Sequence, residues 1–322
     1  MKTSMPDPIL PAVQQHLISP AEPAVARVVS SELCTRSSKA AGYVRHVAID
    51  VSGTPLAGTF RAGQSFGVVP PGVDAKGRPH KLRLYSIASP TRGEDGEGTI
   101  LATTVKRTID EHWDDHSLFL GVCSNHLCDL KPGDEVLVTG PAGKRFLLPE
   151  DVSAHDYVFF ATGTGSAPFR GMRGDLEAGG FTGRAALVMG VPYTTDLLYD
   201  AELAALSERV DWFSYLKAIS RESAEPALGP GSGGRGLYVQ DRLRTHAEEL
   251  ASLLRSERCL VYICGIAGME LGILRALAVM LSPDELAGYL GVSEEAGQPA
   301  DWERRMIPRR LTPTKRLFIE VY

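Results

Sequence analysis

FFATGTGSAPFRGM, residues 159–172, is the stretch on which the fold turns. A run of buried-strand character, starting at Tyr157, enters Gly163-Thr164-Gly165, and a helical pattern follows at once. Small residues at such a turn let a phosphate approach the backbone. The helix N-terminus beyond it offers unpaired N–H groups and the positive end of a dipole. A Gly-x-Gly turn alone is weak, and many bind nothing. At the first strand-to-helix turn of an α/β segment, however, it points to a dinucleotide pyrophosphate. It is not the full GxGxxG fingerprint, which disfavours a standard Rossmann dehydrogenase.

The same rhythm continues outward from this turn. Strand AALVMGV, helix TDLLYDAELAALSER, strand WFSYLKAIS, helix QDRLRTHAEELASLLRS, strand CLVYICG and helix GMELGILRALAVML follow in order. This alternation predicts a doubly wound parallel sheet over 151–322, with ligands at the carboxyl ends of its strands. The stretch AEPALGPGSGGRG (224–236) reads as a flexible loop.

Upstream of residue 150 the pattern is different. GYVRHVAIDV, KLRLYSIAS, TILATTVKRT and DEVLVTG are short β-branched or alternating runs, bounded by turns such as PPG, GEDGEG and KPGD. They predict a small barrel or sandwich over 23–150. Residues 1–22, rich in Pro and Ala, are expected to be a flexible N-terminal segment, loose or wrapped on the surface.

Composition excludes several function classes. The 322 residues carry a net charge of −5, against a nucleic-acid binder. No signal peptide and no membrane-span-length apolar run is found, so a soluble cytoplasmic protein is expected. The five cysteines (Cys34, Cys123, Cys128, Cys259, Cys264) form no CxxC pair. Reduced thiols are expected rather than disulfides or an iron–sulfur cluster. From Asp301 onward six bases (Arg304, Arg305, Arg309, Arg310, Lys315, Arg316) face three acids (Asp301, Glu303, Glu320), which reads either as a solvated face or as a docking patch for an acidic partner.

Three further stretches carry chemistry. In RLYSIAS (83–89), Arg83 can fork onto a phosphate, Tyr85 can stack and Ser86 is a small donor; an ordinary strand would read the same way. In GVCSNHLCDLKPGDEV (121–136), Ser124 or Asn125 is a good N-cap for a short helix whose N-terminus makes a second anion site. HWDDH holds His112 and His116 at i,i+4, but with no third ligand signal and in an expected turn; no metal is predicted.

Taken in order, RLYSIAS, VKR, GVCSNxLCDLKPG, GPxGK, ATGTGxAPFR, GVP, SRE, YxQ, CGxxGME and the terminal EVY resemble the plant-type ferredoxin–NADP⁺ reductase family, as a bacterial member, over residues 27 to 322. The resemblance implies a ferredoxin reductase-like fold: an FAD-binding β-barrel domain, then an α/β doubly wound parallel-sheet NADP-binding domain. It implies an oxidoreductase moving electrons between NADPH and an acidic ferredoxin or flavodoxin, with FAD and NADP(H) as cofactors and a monomer compatible with the reading.

It also implies roles. Arg83 and Ser124, with the backbone of Val122 and Cys123, would hold the FAD pyrophosphate. Leu84 and Tyr85 would lie at the flavin, Tyr85 stacked on one face, and Ser86 would sit near the atom that takes the hydride. Thr104, Val105 and Lys106 would line the flavin strand, Lys106 also facing NADP. Thr164, Val191 and Pro192 would contact NADP, and Ser220, Arg221, Tyr238 and Gln240 would form the 2′-phosphate pocket. Cys264, Gly265 and Ile266 would meet the nicotinamide. Tyr322 would cover the flavin's other face and Glu320 would relay protons; Ser86, Cys264, Glu320 and Tyr322 are the expected catalytic set.

Departures from the family pattern stand at Asp110, in place of an adenine-stacking tyrosine for which His112 or Trp113 could substitute, and at Ser166, Ala267 and Gly236, the last where a basic residue often binds the 2′-phosphate, although Arg235 is adjacent. Rival readings are a reductase of this fold serving an oxygenase, similar to the reductase component of benzoyl-CoA epoxidase but lacking its iron–sulfur cysteines, and a non-catalytic binding protein on the same fold.

Overall fold

The computed structural model describes residues 7–36, 42–222 and 236–322. Its first strands are β1 (Ala24–Leu33), β2 (Val44–Asp50), β3 (Ser65–Val69), β4 (Arg83–Ser86) and β5 (Ile100–Lys106). A short hairpin of β6 (Ile109–Glu111) and β7 (Leu118–Leu120) leads to helix α1 (Val122–Asp129) and strand β8 (Glu135–Ala142). The second half runs β9 (Asp156–Thr162), α2 (Ala167–Ala178), β10 (Ala185–Val191), α3 (Asp200–Arg209), β11 (Phe213–Ile219), α4 (Arg242–Thr245) and α5 (Ala247–Leu254). It ends with β12 (Cys259–Gly265), α6 (Met269–Met280), α7 (Pro283–Ala287), the pair β13 (Leu290–Val292) and β14 (Leu311–Pro313), and β15 (Leu317–Val321).

Contacts divide the chain into two units. One is Pro11–Leu148 with Ala167–Gly179; the other is Pro149–Ser166 and Gly180–Tyr322 with the chain up to Leu10. In the first unit the antiparallel order is β4-β3-β8-β1-β2-β5, and a bridge between Ile87 and Thr103 closes it into a six-stranded barrel. Inward residues of alternating strands fill it, among them Val47, Ile49, Phe66, Val68, Leu101 and Val138. Helix α1 plugs the barrel with Cys123, Leu127 and Cys128.

Helix α2 groups with the barrel although it follows β9 in sequence. The Asp175 carboxylate accepts from Thr91 N at 2.7 Å and Thr91 Oγ1 at 2.6 Å, and Arg170 pairs with Glu94 at 2.5 Å. A Cβ at Gly171 would stand 2.3 Å from the Ser89 carbonyl, so only glycine admits this approach. The N-terminal segment, expected to be flexible, is tied where it is described. Ile18 and Gly140 exchange two 3.0 Å backbone bonds, and Gln64 Nε2 donates to the Gln14 carbonyl at 3.1 Å.

The second unit is a parallel sheet in the order β11-β10-β9-β12-β15. Winding reverses between β9 and β12, so the crevice of this doubly wound sheet opens beside the carboxyl end of β9. Helices cover the sheet, which is why its strands are continuous apolar runs rather than alternating ones. One face carries Val158, Phe160, Val261 and Ile263 in the core; Tyr157, Phe159, Tyr262 and Phe318 make an aromatic row, Tyr262 and Phe318 stacking at 4.3 Å.

Two helices differ from the pattern read in the sequence. Helix α3 starts only at Asp200, because Tyr199 takes a left-handed conformation (φ 57°). The single helix expected over 240–256 breaks at His246 (φ −123°, ψ 43°) into α4 and α5. The loop read over 224–236 lies, apart from Gly236, outside the described residues. No helix among the described residues is long and apolar enough to cross a membrane.

Candidate functional site

In the barrel unit, β4 is a short strand with the RLYS residues partly open to solvent: Arg83 and Leu84 are exposed, Leu84 at 59%, while Tyr85 and Ser86 are half-buried. Arg83 Nη1 donates only to the Leu82 carbonyl, at 3.1 Å, and no acid among the described residues pairs with its guanidinium. The Tyr85 hydroxyl meets the Cys123 thiol. Burial raises both groups, and the nearby Arg83 charge partly lowers both again.

Helix α1 starts after Gly121 with no side-chain cap. The expectation that Ser124 or Asn125 caps it is thus corrected. Ser124 Oγ donates to the Gly121 carbonyl at 3.1 Å and accepts from Thr108 N at 3.3 Å, while Asn125 Nδ2 donates to the carbonyls of Thr108 and Gly121. These side chains stitch α1 to the link between β5 and the hairpin at Thr108, and the first N–H groups of the helix are left without a cap. Thr104 and Val105 are both buried, Val105 inside the core and accepting from Cys128 Sγ through its carbonyl; Lys106 is exposed. Cys123 and Cys128 are free thiols packed against backbone carbonyls.

The β6–β7 hairpin bears a feature the sequence reading missed. Asp110 is paired with Phe119, an exposed ring that His112 meets edge-on at 6.0 Å. His116 Nδ1 lies 2.5 Å from Glu111 Oε1, and Trp113 at the tip is 96% exposed. No metal-binding cluster occurs among the described residues. The apolar run Leu118-Phe119-Leu120 before Gly121 was the available signal, but three apolar residues are too few to read as a strand.

In the sheet unit, the Gly163–Ser166 turn follows β9 as a short 3-10 helix. Its glycines do different jobs. Gly163 adopts φ +51°, and a Cβ at Gly165 would stand 2.2 Å from the Cys264 carbonyl on β12. Thr162 Oγ1 accepts from Ile266 N at 2.9 Å and donates to Met269 Sδ at 3.2 Å, tying β9 to the loop after β12. Ile266 itself is 64% exposed at that crevice.

The chain end is fixed there on three sides. Tyr322 N donates to the Gly265 carbonyl and Ala267 N to the Tyr322 carbonyl, both at 3.0 Å; the Tyr322 hydroxyl and Thr164 Oγ1 are 2.7 Å apart. Glu320 sits opposite Cys264 in the β12–β15 register. Burial pushes the Glu320 carboxyl up to about 7, into the range where a carboxyl can trade protons near neutrality. Burial also raises the Cys264 thiol, and the Glu320 charge adds to this. Thr164, Cys264, Gly265, Ile266, Glu320 and Tyr322 are therefore brought together.

At the ends of β10 and β11, Val191 is buried and contributes its carbonyl, which accepts from Ser220 N at 3.0 Å. The Pro192 carbonyl accepts from Arg221 N at 2.9 Å. Tyr238 is 47% exposed; Gln240 packs on α6, its carboxamide 3.1 Å from where a Cβ at Gly272 would stand. A Cβ at Gly236 would lie 2.4 Å from the Ile219 carbonyl, so a basic side chain is sterically barred at that position.

The C-terminal basic stretch is largely neutralised. Arg304 pairs with Glu270 at 2.7 Å, Arg305 with Glu303, Arg310 with Glu295 at 3.5 Å and Lys315 with Asp7 at 2.7 Å. Arg316 turns inward to the carbonyls of Ser256 and Cys259. Among the described residues Arg309 alone of the six lacks such a bond, which favours the solvated-face reading over a patch built from this stretch.

Comparison with known proteins agrees with this architecture. Residues 159–274 match the model of the oxidoreductase NAD-binding domain family. A ferredoxin–NADP reductase of Spirulina sp. is 39% identical over 264 residues, covering 80% of this chain and 86% of the relative. The chloroplastic ferredoxin–NADP reductase leaf isozyme 1 of Arabidopsis thaliana is 40% identical over 249 residues, covering 76% and 67%. Among solved structures, the ferredoxin–NADP⁺ reductase of Plasmodium falciparum shares the fold with a TM-score of 0.69 at 22% identity, over 95% of this chain and 99% of that one. With a closed barrel, a five-stranded parallel sheet and relatives this similar over most of their length, the chain belongs to the ferredoxin–NADP reductase family.

Proposed function

We propose that this chain is an FAD-dependent oxidoreductase that moves electrons between NADPH and a one-electron protein carrier, an acidic ferredoxin or flavodoxin, in the cytoplasm. The observation that carries the reading is the gathering of Thr164, Cys264, Glu320 and a pinned Tyr322 at the switch point of the parallel sheet. FAD, when bound, supplies the conversion between a two-electron hydride and two one-electron transfers.

The barrel unit fits such a group. A guanidinium without an acid partner lies near the uncapped N-terminus of α1, and a diphosphate satisfies both. Arg83 and the amides of Val122 and Cys123 hold it, while Ser124 acts by holding α1 against Thr108. Leu84 and Tyr85 offer an apolar edge and a ring for the flavin, with Ser86 beside it and Lys106 at the exposed end of β5. Phe119, opposite Asp110, supplies the ring for the adenine that Asp110 cannot.

In the sheet unit, the Gly163–Ser166 turn and Thr164 receive the NADP pyrophosphate, with Val191 and Pro192 beside it. Ser220, Arg221 and Tyr238 recognise the adenosine 2′-phosphate, with Gln240 behind them. Glu320, poised near neutrality, holds and releases a proton beside Cys264, Gly265 and Ile266, where the nicotinamide lies. Tyr322 guards that place and is displaced when the nicotinamide enters.

Anaerobic mixing of the purified protein with NADPH, then with NADH, tests the reading. Rapid bleaching of flavin absorbance by NADPH and slow bleaching by NADH is expected. A colourless protein overturns the flavin assignment; equal rates overturn the 2′-phosphate assignment.

A further inference from the structure

The ends of β10 and β11 are stitched to each other residue by residue. Beyond the last register pair, Val191 with Ile219, Ser220 N bonds the Val191 carbonyl at 3.0 Å and Arg221 N the Pro192 carbonyl at 2.9 Å. One step further, both oxygens of Glu222 are taken by Thr194: Thr194 N donates to Oε1 and Thr194 Oγ1 to Oε2, each at 2.6 Å. Pro192 and Thr194 are therefore held on either side of Tyr193, and Ser220 and Glu222 on either side of Arg221. Between these fixed neighbours, the Arg221 guanidinium stands over the Tyr193 ring, 5.9 Å from its centroid.

This arrangement leaves the charge of Arg221 available. Glu222, the acid next to it in sequence, is committed to Thr194, whose hydrogen bonds hold its carboxyl below the usual range. No acid among the described residues pairs with Arg221. A ring face attracts a cation without occupying its N–H donors, so a guanidinium stacked on one keeps its forked edge for an oxyanion. An acidic partner would instead take both the charge and the donors. Tyr193 is 44% exposed. At Gly236, moreover, backbone crowding bars a second base.

We propose that Tyr193 is a positioning residue for the 2′-phosphate pocket: its ring carries the Arg221 guanidinium and thereby sets the preference for a 2′-phosphorylated over an unphosphorylated adenosine ligand. The inference rests on the assignment of Arg221 to that pocket and adds the residue through which Arg221 acts. The Glu222–Thr194 clasp serves the same end, by keeping the two loops in register.

The test is equilibrium titration of the flavin-loaded protein with 2′-phospho-AMP and with 5′-AMP, in Tyr193→Ala, Tyr193→Phe, Arg221→Leu and Tyr193→Ala/Arg221→Leu. A stacked, exposed cation predicts that Tyr193→Ala weakens 2′-phospho-AMP by about two- to fivefold and leaves 5′-AMP unchanged. Tyr193→Phe, which keeps the ring and loses only the hydroxyl, retains the wild-type preference and shows that the loop still folds. In the Arg221→Leu background, Tyr193→Ala has no further effect on 2′-phospho-AMP. Equal weakening of both ligands, or a Tyr193→Ala effect that persists without Arg221, overturns the proposal. If Arg221→Leu alone leaves the ratio of the two affinities unchanged, the pocket assignment itself is wrong and the positioning role falls with it.

Discussion

Replacing Gly265 by alanine probes the crevice at its tightest point. Gly265 ends β12 at φ +146°, and a Cβ there would stand 2.1 Å from Thr162 Oγ1 and 2.9 Å from both Thr162 N and Met269 Sδ. The backbone conformation alone costs an L-residue about 1–3 kcal/mol. The hydroxyl must also rotate away, which breaks its 2.9 Å bond from Ile266 N and removes about 0.5–1.5 kcal/mol more. A loss of about 2–4 kcal/mol follows, read by thermal melting as a fall in Tm of about 5–15 °C. The damage also reaches the chain end, because the Gly265 carbonyl accepts from Tyr322 N, so the KM for NADPH is expected to change along with stability. Thr162→Ala removes the obstructing oxygen but also its bonds. The double variant should therefore be more stable than the sum of the two single losses predicts, by about 1 kcal/mol or more. A Tm for Gly265→Ala within about 1 °C of wild type, or strict additivity in the double variant, would refute the reasoning.

Two further variants address the chain end. Tyr322→Ser is expected to strengthen nicotinamide binding and improve the use of NADH; Tyr322→Phe, which loses only the 2.7 Å bond to Thr164, should move in the same direction by about two- to twelvefold. Unchanged kinetics with both NADPH and NADH in Tyr322→Ser would sink the idea of a displaceable lid. Glu320 is held protonated by burial up to about pH 7, whereas its ordinary value is 4.5. Its contribution to stability is therefore fully present below pH 4.5 and is lost as pH rises through 7. The wild type should lose Tm relative to Glu320→Gln across that window and hold a constant gap above it. Parallel melting curves from pH 4 to pH 8 would show that the carboxyl is not perturbed.

Much of the sheet unit was legible in the sequence because a strand buried on both faces must be apolar along its whole length. Tyr157–Thr162, Ala185–Val191 and Cys259–Gly265 therefore announce themselves. The barrel was less legible. Strand β1 exposes Val25, Val29 and Leu33 and carries a register shift between Val28 and Ser30, so its alternation is blurred; β3 is only five residues long. Helix α4 and helix α5 read as one because nothing in QDRLRTHAEEL marks the break at His246. Ser124 and Asn125 are good capping residues by type, yet Thr108 and the Gly121 carbonyl claim their side chains.

The sequence by itself determined the order of barrel and doubly wound sheet and the glycine turn after β9, and it named candidates for both sites. Those properties follow from local hydropathy, turn chemistry and motif order. Tertiary structure decided which of these residues act on one another. Thr164 and Tyr322 lie 158 positions apart and share a hydrogen bond; Gly165 and Gly265 are required by close approaches to neighbouring strands. A row of C-terminal bases that reads as a positive patch is mostly cancelled by Glu270, Glu303, Glu295 and Asp7. Arg221, beside an acid in the chain, stands over the Tyr193 ring, while that acid is bonded to Thr194. Charge pairing and steric closure depend on distance in space, which residue spacing along the chain does not fix.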